Sequence, residues 1–493
     1  MQLLKILKKK ETVIFFISMV FLLTLRLYHL DVPPLENKES WRQADTESIA
    51  RNFVQYDFNL LSPNFNYDGP LPNVPALELQ VTTLIIAVLY QVFGFHYFLA
   101  RLVPICFYLV SAGYLYCYAR KQMGFEKALF SLLIYGILPV NVYFSRAIMP
   151  EAAGLMFLLG GFFYFDKWID KPVGKGLALS SIFLALALMT KPPTAFIAVP
   201  MVYLCWKRFG WSFLKNRELW VFTLFICSVA GGYYIYSNST AEFHFALSIT
   251  EGLVLRRIGS AFYSREAWDF FRLEIPGTMT RHVLYLLPLG MITAWKKDKT
   301  IIFWFLGMAA EAIFIVSTIR SSYYLIFLTP PIALLAGSFL GRLAEKRVLL
   351  PVSFLILLLI GYSSFQELKP MYAVNTKMQE EVRLVQALTS AEDLLVVGSL
   401  DPCVLSLSGR RGWRLYTGND HRASEDLREE LDLYIRSGAN YFIPIQGKVY
   451  GDEDGSFLEY VVQTYEKIEP VKGYPIFRLN RPAQSSAMKG VLR

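Results

Sequence analysis

The chain has 493 residues, of which 54% are hydrophobic and 15% aromatic, while only 18% are charged. Soluble domains carry charge on about a quarter of their residues, so this composition excludes an ordinary soluble enzyme. The net charge of +9 does not point to nucleic acid either, because Lys and Arg fall in short clusters between apolar runs, where they orient membrane segments.

At the N-terminus Lys5, Lys8, Lys9 and Lys10 precede an apolar run from Thr12 to about Leu30. The run has no small-residue cleavage site, which predicts a retained membrane helix rather than a removed leader. Positive charge stays on the cytoplasmic side, so the polar stretch LENKESWRQADTESIARNF, Leu35 to Phe53, is expected to emerge on the opposite face. Leu99 to Tyr118 then returns to Arg120, Lys121 and Lys127. The short apolar stretch Leu79 to Phe93 cannot also cross without inverting that cluster, so it is read as an interfacial helix. Residues 31–98 thus form one long external loop.

The same alternation continues through Ala128 to Phe144, Ala152 to Phe165, Leu177 to Met189, Thr194 to Trp206 and Leu219 to Ser237. A second long external loop follows over 238–282. Val283 to Trp295, Ile301 to Thr318, Tyr323 to Leu340 and Val348 to Tyr362 complete the series. The expectation is about eleven spans in residues 1–364, with the tail outside. That tail, 365–493, alternates amphipathic helices (Met378 to Leu388, Ser424 to Arg436, Ser456 to Tyr465) with β-like runs LLVVG, YFIPI and YPIFRLN. It reads as a small α/β domain in an accessory role. Cys106, Cys117, Cys205, Cys227 and Cys403 have neither metal-ligand spacing nor a paired framework.

Ionisable residues collect at the external ends of the spans. The first loop holds Glu36, Glu39, Arg42, Asp45 and Glu78. The turn FSRAIMPEAAG holds Arg146 and Glu151, LMTKPPTAF holds Lys191, and STIRSSYYLIFLTPP holds Arg320, Tyr323 and Tyr324. Glu311 lies in the outer half of the ninth span, where an ionisable side chain is costly and faces a partner or a cavity. Carboxylates in a partly dry site suit proton removal from a nucleophile. Arg and Lys suit a phosphate leaving group whose charge grows as its bond breaks, and interfacial Tyr offers a hydroxyl beside a stacking surface. A lipid-linked phospho-sugar meets these requirements. Each residue also has a plainer reading: Asp45 and Glu151 as first-turn acids, Lys191 as a snorkelling lysine, Arg320 and Tyr324 as interfacial anchors.

Taken together, WRQADTESIARNF, FSRAIMPEAAG, TKPPTAF and YYLIFLTPPIALLAG resemble the GT-C membrane glycosyltransferases over about residues 1–365. The similarity is closest to the branch of protein O-mannosyltransferases and lipid A aminoarabinose transferases. The resemblance implies an all-α polytopic membrane domain followed by the α/β tail. It also implies inverting transfer of a monosaccharide from a polyprenyl (undecaprenyl) phosphate donor to a glycan, lipid or protein acceptor. The reaction is then expected on the extracytoplasmic side of a bacterial plasma membrane. By the same resemblance an acid of the first loop is the general base, here Asp45 with Glu39 as second candidate. Glu151 positions the acceptor or a divalent metal, which the resemblance admits without requiring. Lys191, Arg320, Tyr323 and Tyr324 hold the donor phosphate, with Arg42, Glu78 and Arg146 as further substrate contacts. Many relatives carry an Asp-Glu pair where this chain has Arg42 and Gln43, and histidine or proline before the tyrosines where it has RSSYY. Competing readings are a transporter or flippase of lipid-linked sugars, which would place its charges at mid-membrane in paired halves, and a non-catalytic scaffold.

Overall fold

In the computed structural model, residues 9–242, 254, 256, 257, 259, 263–297, 299–416, 424–469 and 471–482 are described. Of residues 243–262 only Val254, Arg256, Arg257 and Gly259 are described, so Arg256 and Arg257 are the only basic residues of that part of the second loop within the described set. The chain divides into two compact units. One comprises Met1–Asp31 and Ala76–Tyr372, the other Val32–Pro75 and Ala373–Arg493.

The first unit is helical. Helices stand where each apolar run was read: Lys9–Thr24, Tyr97–Met123, Phe125–Ile137 continued by Pro139–Phe144, Glu151–Asp170, Gly174–Thr190, Ala198–Phe209, Arg217–Thr240, Arg281–Lys297, Thr300–Ile319, Ser322–Ala344 and Arg347–Met371. Six of these are long and apolar enough to cross a membrane, and Val81–Phe93 is a shorter apolar helix. Glu151–Asp170 and Ser322–Ala344 are 89% buried along their apolar windows, whereas Arg217–Thr240 and Arg347–Met371 are 22% and 17% buried. The first two are therefore the centre of the bundle and the last two its rim. In the central helix Ser322–Ala344, Gly337 and Gly341 let the backbone of Phe125–Ile137 approach so closely that a Cβ at either position would collide with Ser131 or Lys127. Small residues four apart are how apolar helices achieve contact where burial alone cannot drive association.

The first helix ends at Thr24 rather than continuing to Leu30, and Arg26 explains the difference. Its guanidinium turns inward, donating to Ser145 Oγ at 2.6 Å, Leu22 O at 2.6 Å and Gly136 O at 3.2 Å, and lies 4.0 Å above the Tyr108 ring. A buried cation with this many acceptors is a staple between helices, and the chain must leave the helical path to place it. Basic residues read from the sequence as orientation signals are also paired. Lys121 meets Asp166 at 2.6 Å, Arg120 meets Glu11 at 2.8 Å, and Lys127 meets Glu345.

The second unit contains a five-stranded sheet, β1 Leu394–Val397, β2 Arg411–Arg414, β3 Ala439–Ile443, β4 Tyr465–Ile468 and β5 Ile476–Pro482, in the order β2-β1-β3-β5-β4. The β1 strand runs parallel to β2 and β3, while β3–β5 and β5–β4 are antiparallel. Helices Thr376–Leu388, Ser424–Arg436 and Ser456–Thr464 agree with the amphipathic periods of the tail. Residues 32–75 join this unit rather than standing alone. Gly69 N donates to Gly412 O at 3.0 Å, Gly412 N donates to Asn66 O at 3.2 Å, and Glu36 pairs with Val374. The free edge of β2 is thereby covered, which removes an unpaired row of backbone groups.

Candidate functional site

In the helical unit the site is built around a break in the chain. Helix Gly174–Thr190 ends because Pro192 and Pro193 cannot continue its hydrogen-bond ladder, leaving Lys191 extended at φ −150°. Thr194 donates its hydroxyl back to Lys191 O at 2.7 Å, closing the turn. Helix Glu151–Asp170 starts immediately after Pro150, so Glu151 occupies its first turn. Gly154, one turn further on, leaves the volume that the Lys191 stem crosses, since a Cβ there would stand 3.2 Å from Lys191 Cγ.

Leu79 N donates to Met189 O at 2.8 Å, and Tyr233 donates its hydroxyl to Leu77 O at 3.1 Å, which holds the intervening Glu78 against the same turn. The result is a lysine between two acids. Lys191 Nζ lies 2.5 Å from Glu151 Oε1 and 3.1 Å from Glu78 Oε1. Lys191 and Glu151 are 2% and 0% exposed, so snorkelling is not the reason for this lysine. The rings of Tyr323 and Tyr324, supplied by the tight turn Ser322–Leu328, each have their centroid 5.4 Å from the ammonium.

Five of the residues singled out in the sequence, Glu78, Glu151, Lys191, Tyr323 and Tyr324, are thus brought together. Arg320 is held differently. It ends its helix in the left-handed region at φ 59° and pairs with Glu266, from the helix Arg265–Met279 of the second long loop. Arg146 is fully buried, donates to His29 O at 2.7 Å and lies 5.0 Å from the Tyr372 ring centroid.

In the second unit helix Ser40–Gln55 presents Asp45 on its buried face. Tyr67 donates its hydroxyl to Asp45 Oδ2 at 3.1 Å, while Oδ1 has no hydrogen-bond partner among the described residues. Burial raises the Asp45 pKa to about 8, only partly offset by Arg42, the Tyr67 hydrogen bond and Arg414, with Asp401 adding a little to the rise. Burial and the Asp45 charge also push the Tyr67 hydroxyl well above its ordinary value, so it remains a donor. Glu39 precedes the helix in the left-handed region at φ 55°, and its carbonyl, not its carboxylate, accepts from Gln43 N at 3.1 Å.

Sequence reasoning missed Tyr67, Asp68 and Arg414. Arg414, at the end of β2, donates from Nε to Asp68 Oδ1 at 2.9 Å and lies 4.4 Å above the Tyr67 ring. No spacing could have linked position 414 to position 67. The NYDGP turn was the only local signal that this part of the loop is ordered.

The donor set for a divalent metal is thin. Among the described residues no group of three or more His, Cys, Asp or Glu is placed to share an ion, and Glu78 and Glu151 both engage Lys191. The helical unit offers an ammonium with two carboxylates, and the second unit separately offers a buried carboxyl of raised pKa.

Residues 80–234 match the model of the family described as dolichyl-phosphate-mannose-protein mannosyltransferase. No curated protein matches the chain by sequence. Among solved structures, ArnT from Cupriavidus metallidurans bound to undecaprenyl phosphate is similar at a TM-score of 0.70 and 12% identity, over 94% of this chain and 97% of that one. The oligosaccharyltransferase AglB from Archaeoglobus fulgidus, in complex with an inhibitory peptide and a dolichol-phosphate, is similar at a TM-score of 0.62 and 11% identity. That match spans 95% of this chain and 74% of AglB. At such identities the likeness concerns the fold, a helical unit with membrane-length helices and a smaller unit with a five-stranded sheet, as expected from the sequence.

Proposed function

We propose that this protein is an inverting membrane glycosyltransferase that takes a monosaccharide from a polyprenyl-phosphate donor and passes it to a cell-envelope acceptor on the extracytoplasmic face. The observation that carries this reading is the buried Lys191, set in a proline-made turn beside two acids and two tyrosine rings. A solitary ammonium in such a place answers the charge that accumulates on a phosphate as the sugar leaves. The match of residues 80–234 to a dolichyl-phosphate-mannose-protein mannosyltransferase family, and the undecaprenyl phosphate and dolichol-phosphate bound by the similar folds, support the same chemical class.

The roles follow from the local chemistry. With both carboxylates ionised the Lys191 trio carries a net charge of −1, so an incoming phosphate takes the ammonium from Glu151 or Glu78 instead of adding to it. The released carboxylate is then free to accept a hydrogen bond from the acceptor. Tyr323 and Tyr324 flank the phosphate. Asp45 is taken as the acceptor's base, as the resemblance of its segment WRQADTESIARNF implies: a carboxyl with a pKa near the working pH accepts a proton readily and still drives the transfer. In the reaction the acceptor oxygen bonds to the anomeric carbon, the carbon–oxygen bond to phosphate breaks, and the acceptor proton goes to Asp45.

The test is to incubate the purified protein in detergent with labelled undecaprenyl-phosphate monosaccharides and follow release of undecaprenyl phosphate. Release that requires Lys191 supports the reading. A protein that binds these lipids yet consumes none of them under any acceptor would defeat it, and a flippase is separated by the same assay because transport needs two compartments.

A further inference from the structure

One ionisable residue of the helical unit takes no part in the chemistry above. Glu311 is fully buried, and both its carboxyl oxygens lack a hydrogen-bond partner among the described residues. An unmatched carboxyl in a low-dielectric interior is costly unless something outside the side-chain set satisfies it. Its position in the helix is also unusual. Thr300–Glu311 is α-helical, and the next five residues, Ala312–Val316, form a π-helical turn before the chain reaches the strained Arg320. Insertions of this kind inside α-helices recur at functional sites.

The direction of the side chain follows from its neighbours on the helix. Gly307, one turn earlier on the same face, lies so close to Phe196 O that a Cβ there would stand 2.7 Å from it. Phe314, three residues later, stacks on Phe196 with centroids 6.5 Å apart. The face that bears Glu311 is therefore turned to Pro192–Ile197, the turn that follows Lys191, and the same helix packs on the Ser322–Leu328 turn that bears Tyr323 and Tyr324. Thr190, adjacent to Lys191 in the chain, is also fully buried with its hydroxyl unpartnered among the described residues.

Beside the Lys191 turn the ammonium is thus already claimed by acids, and among the described residues Glu311 and Thr190 leave hydrogen-bonding oxygens unmatched. A phosphate complements the cation but repels the acceptors. Hydroxyl groups complement the acceptors. We propose that Glu311, with Thr190, contacts the hydroxyls of the sugar carried on the lipid phosphate and so determines which sugar is taken. This assignment rests on the donor class proposed above but concerns a separate part of the ligand.

The experiment compares two probes on the full-length protein in detergent micelles: undecaprenyl phosphate alone, and its phosphomonoesters with mannose, glucose and galactose. Glu311→Gln and Glu311→Ala are expected to leave binding of the bare lipid phosphate unchanged. They should weaken binding of the preferred sugar-bearing lipid by about tenfold, as loss of a buried hydrogen bond implies. Thr190→Val should act in the same direction more weakly. The assignment is overturned if the ratio of the two affinities is the same in wild type and Glu311→Ala, or if wild type binds no sugar-bearing lipid better than the bare one. Because the readout is binding, a wild-type protein that binds with this selectivity but transfers nothing removes the transferase reading and leaves Glu311 in place.

Discussion

Lys191 and Glu151 come together from positions forty residues apart in the chain, with Nζ 2.5 Å from Oε1 and both side chains out of contact with solvent. Burying a charge without its partner is far more costly than burying the pair. Lys191→Met alone should therefore destabilise the helical unit by about 3–5 kcal/mol as well as abolish transfer. The double variant Lys191→Met with Glu151→Gln should recover much of the thermal stability without recovering transfer, a separation read by thermal unfolding in detergent beside the labelled-donor assay. Stability that stays lost in the double variant would mean that the pair is not the source of the loss.

Glu151→Gln by itself removes one competitor for the ammonium. Undecaprenyl phosphate should then bind several-fold more tightly, while transfer falls by about a hundredfold. Weaker binding of the lipid in this variant would contradict the proposed exchange of carboxylate for phosphate on Lys191.

Asp45 must be ionised to accept a proton, and its pKa stands at about 8. The rate at low donor concentration should thus rise with pH and level off above an inflection near 8. Asp45→Asn should remove activity across the whole range while the protein still folds. An inflection near 4 in wild type would assign the base to a different carboxylate.

The same raised pKa has a consequence for folding. An unfolded Asp titrates near pH 3.9, so between about 4 and 8 the unfolded chain releases this proton and the folded one retains it. The contribution is fully present below pH 4 and is lost as pH rises through 8, amounting to a few kcal/mol. Asp45→Asn should flatten that decline, which a comparison of unfolding midpoints at pH 5 and pH 9 measures. Parallel curves for the two proteins would show that Asp45 is not the group responsible.

Gly337 faces Ser131 across a close helix contact of the bundle core, with no room for a Cβ. Gly337→Ala should lower stability by about 1–3 kcal/mol through forced separation of the helices, whereas Gly361→Ala, where nothing lies within 4 Å, should be neutral.

Much of the helical unit is legible without a structure, because a membrane imposes length, apolarity and charge bias on each segment separately. Every apolar run became a helix, and the misjudged end at Leu30 traces to Arg26, two of whose acceptors, Ser145 and Gly136, lie more than a hundred residues away. The tail helices were legible for the same local reason, since their periods are written in consecutive residues. The short strands β2 and β4 were not. They hold only four residues each, and β2 is shaped by backbone pairing with Leu395 and with Gly69 rather than by alternation of its own side chains.

The sites divide in the same way. Residue type and the proline break marked Lys191 and Glu151 as unusual where they stand, since a lone lysine among apolar turns is costly wherever it lies. What tertiary structure decided is who answers that cost. It set Lys191 between Glu151 and Glu78, gave Arg320 to Glu266 and Arg146 to a backbone carbonyl, and joined Tyr67 and Arg414 near Asp45 within one unit. Local sequence prescribes where a chain turns and which faces avoid water; electrostatic partnership depends on distances between segments far apart along the chain, and those exist only once the segments have packed.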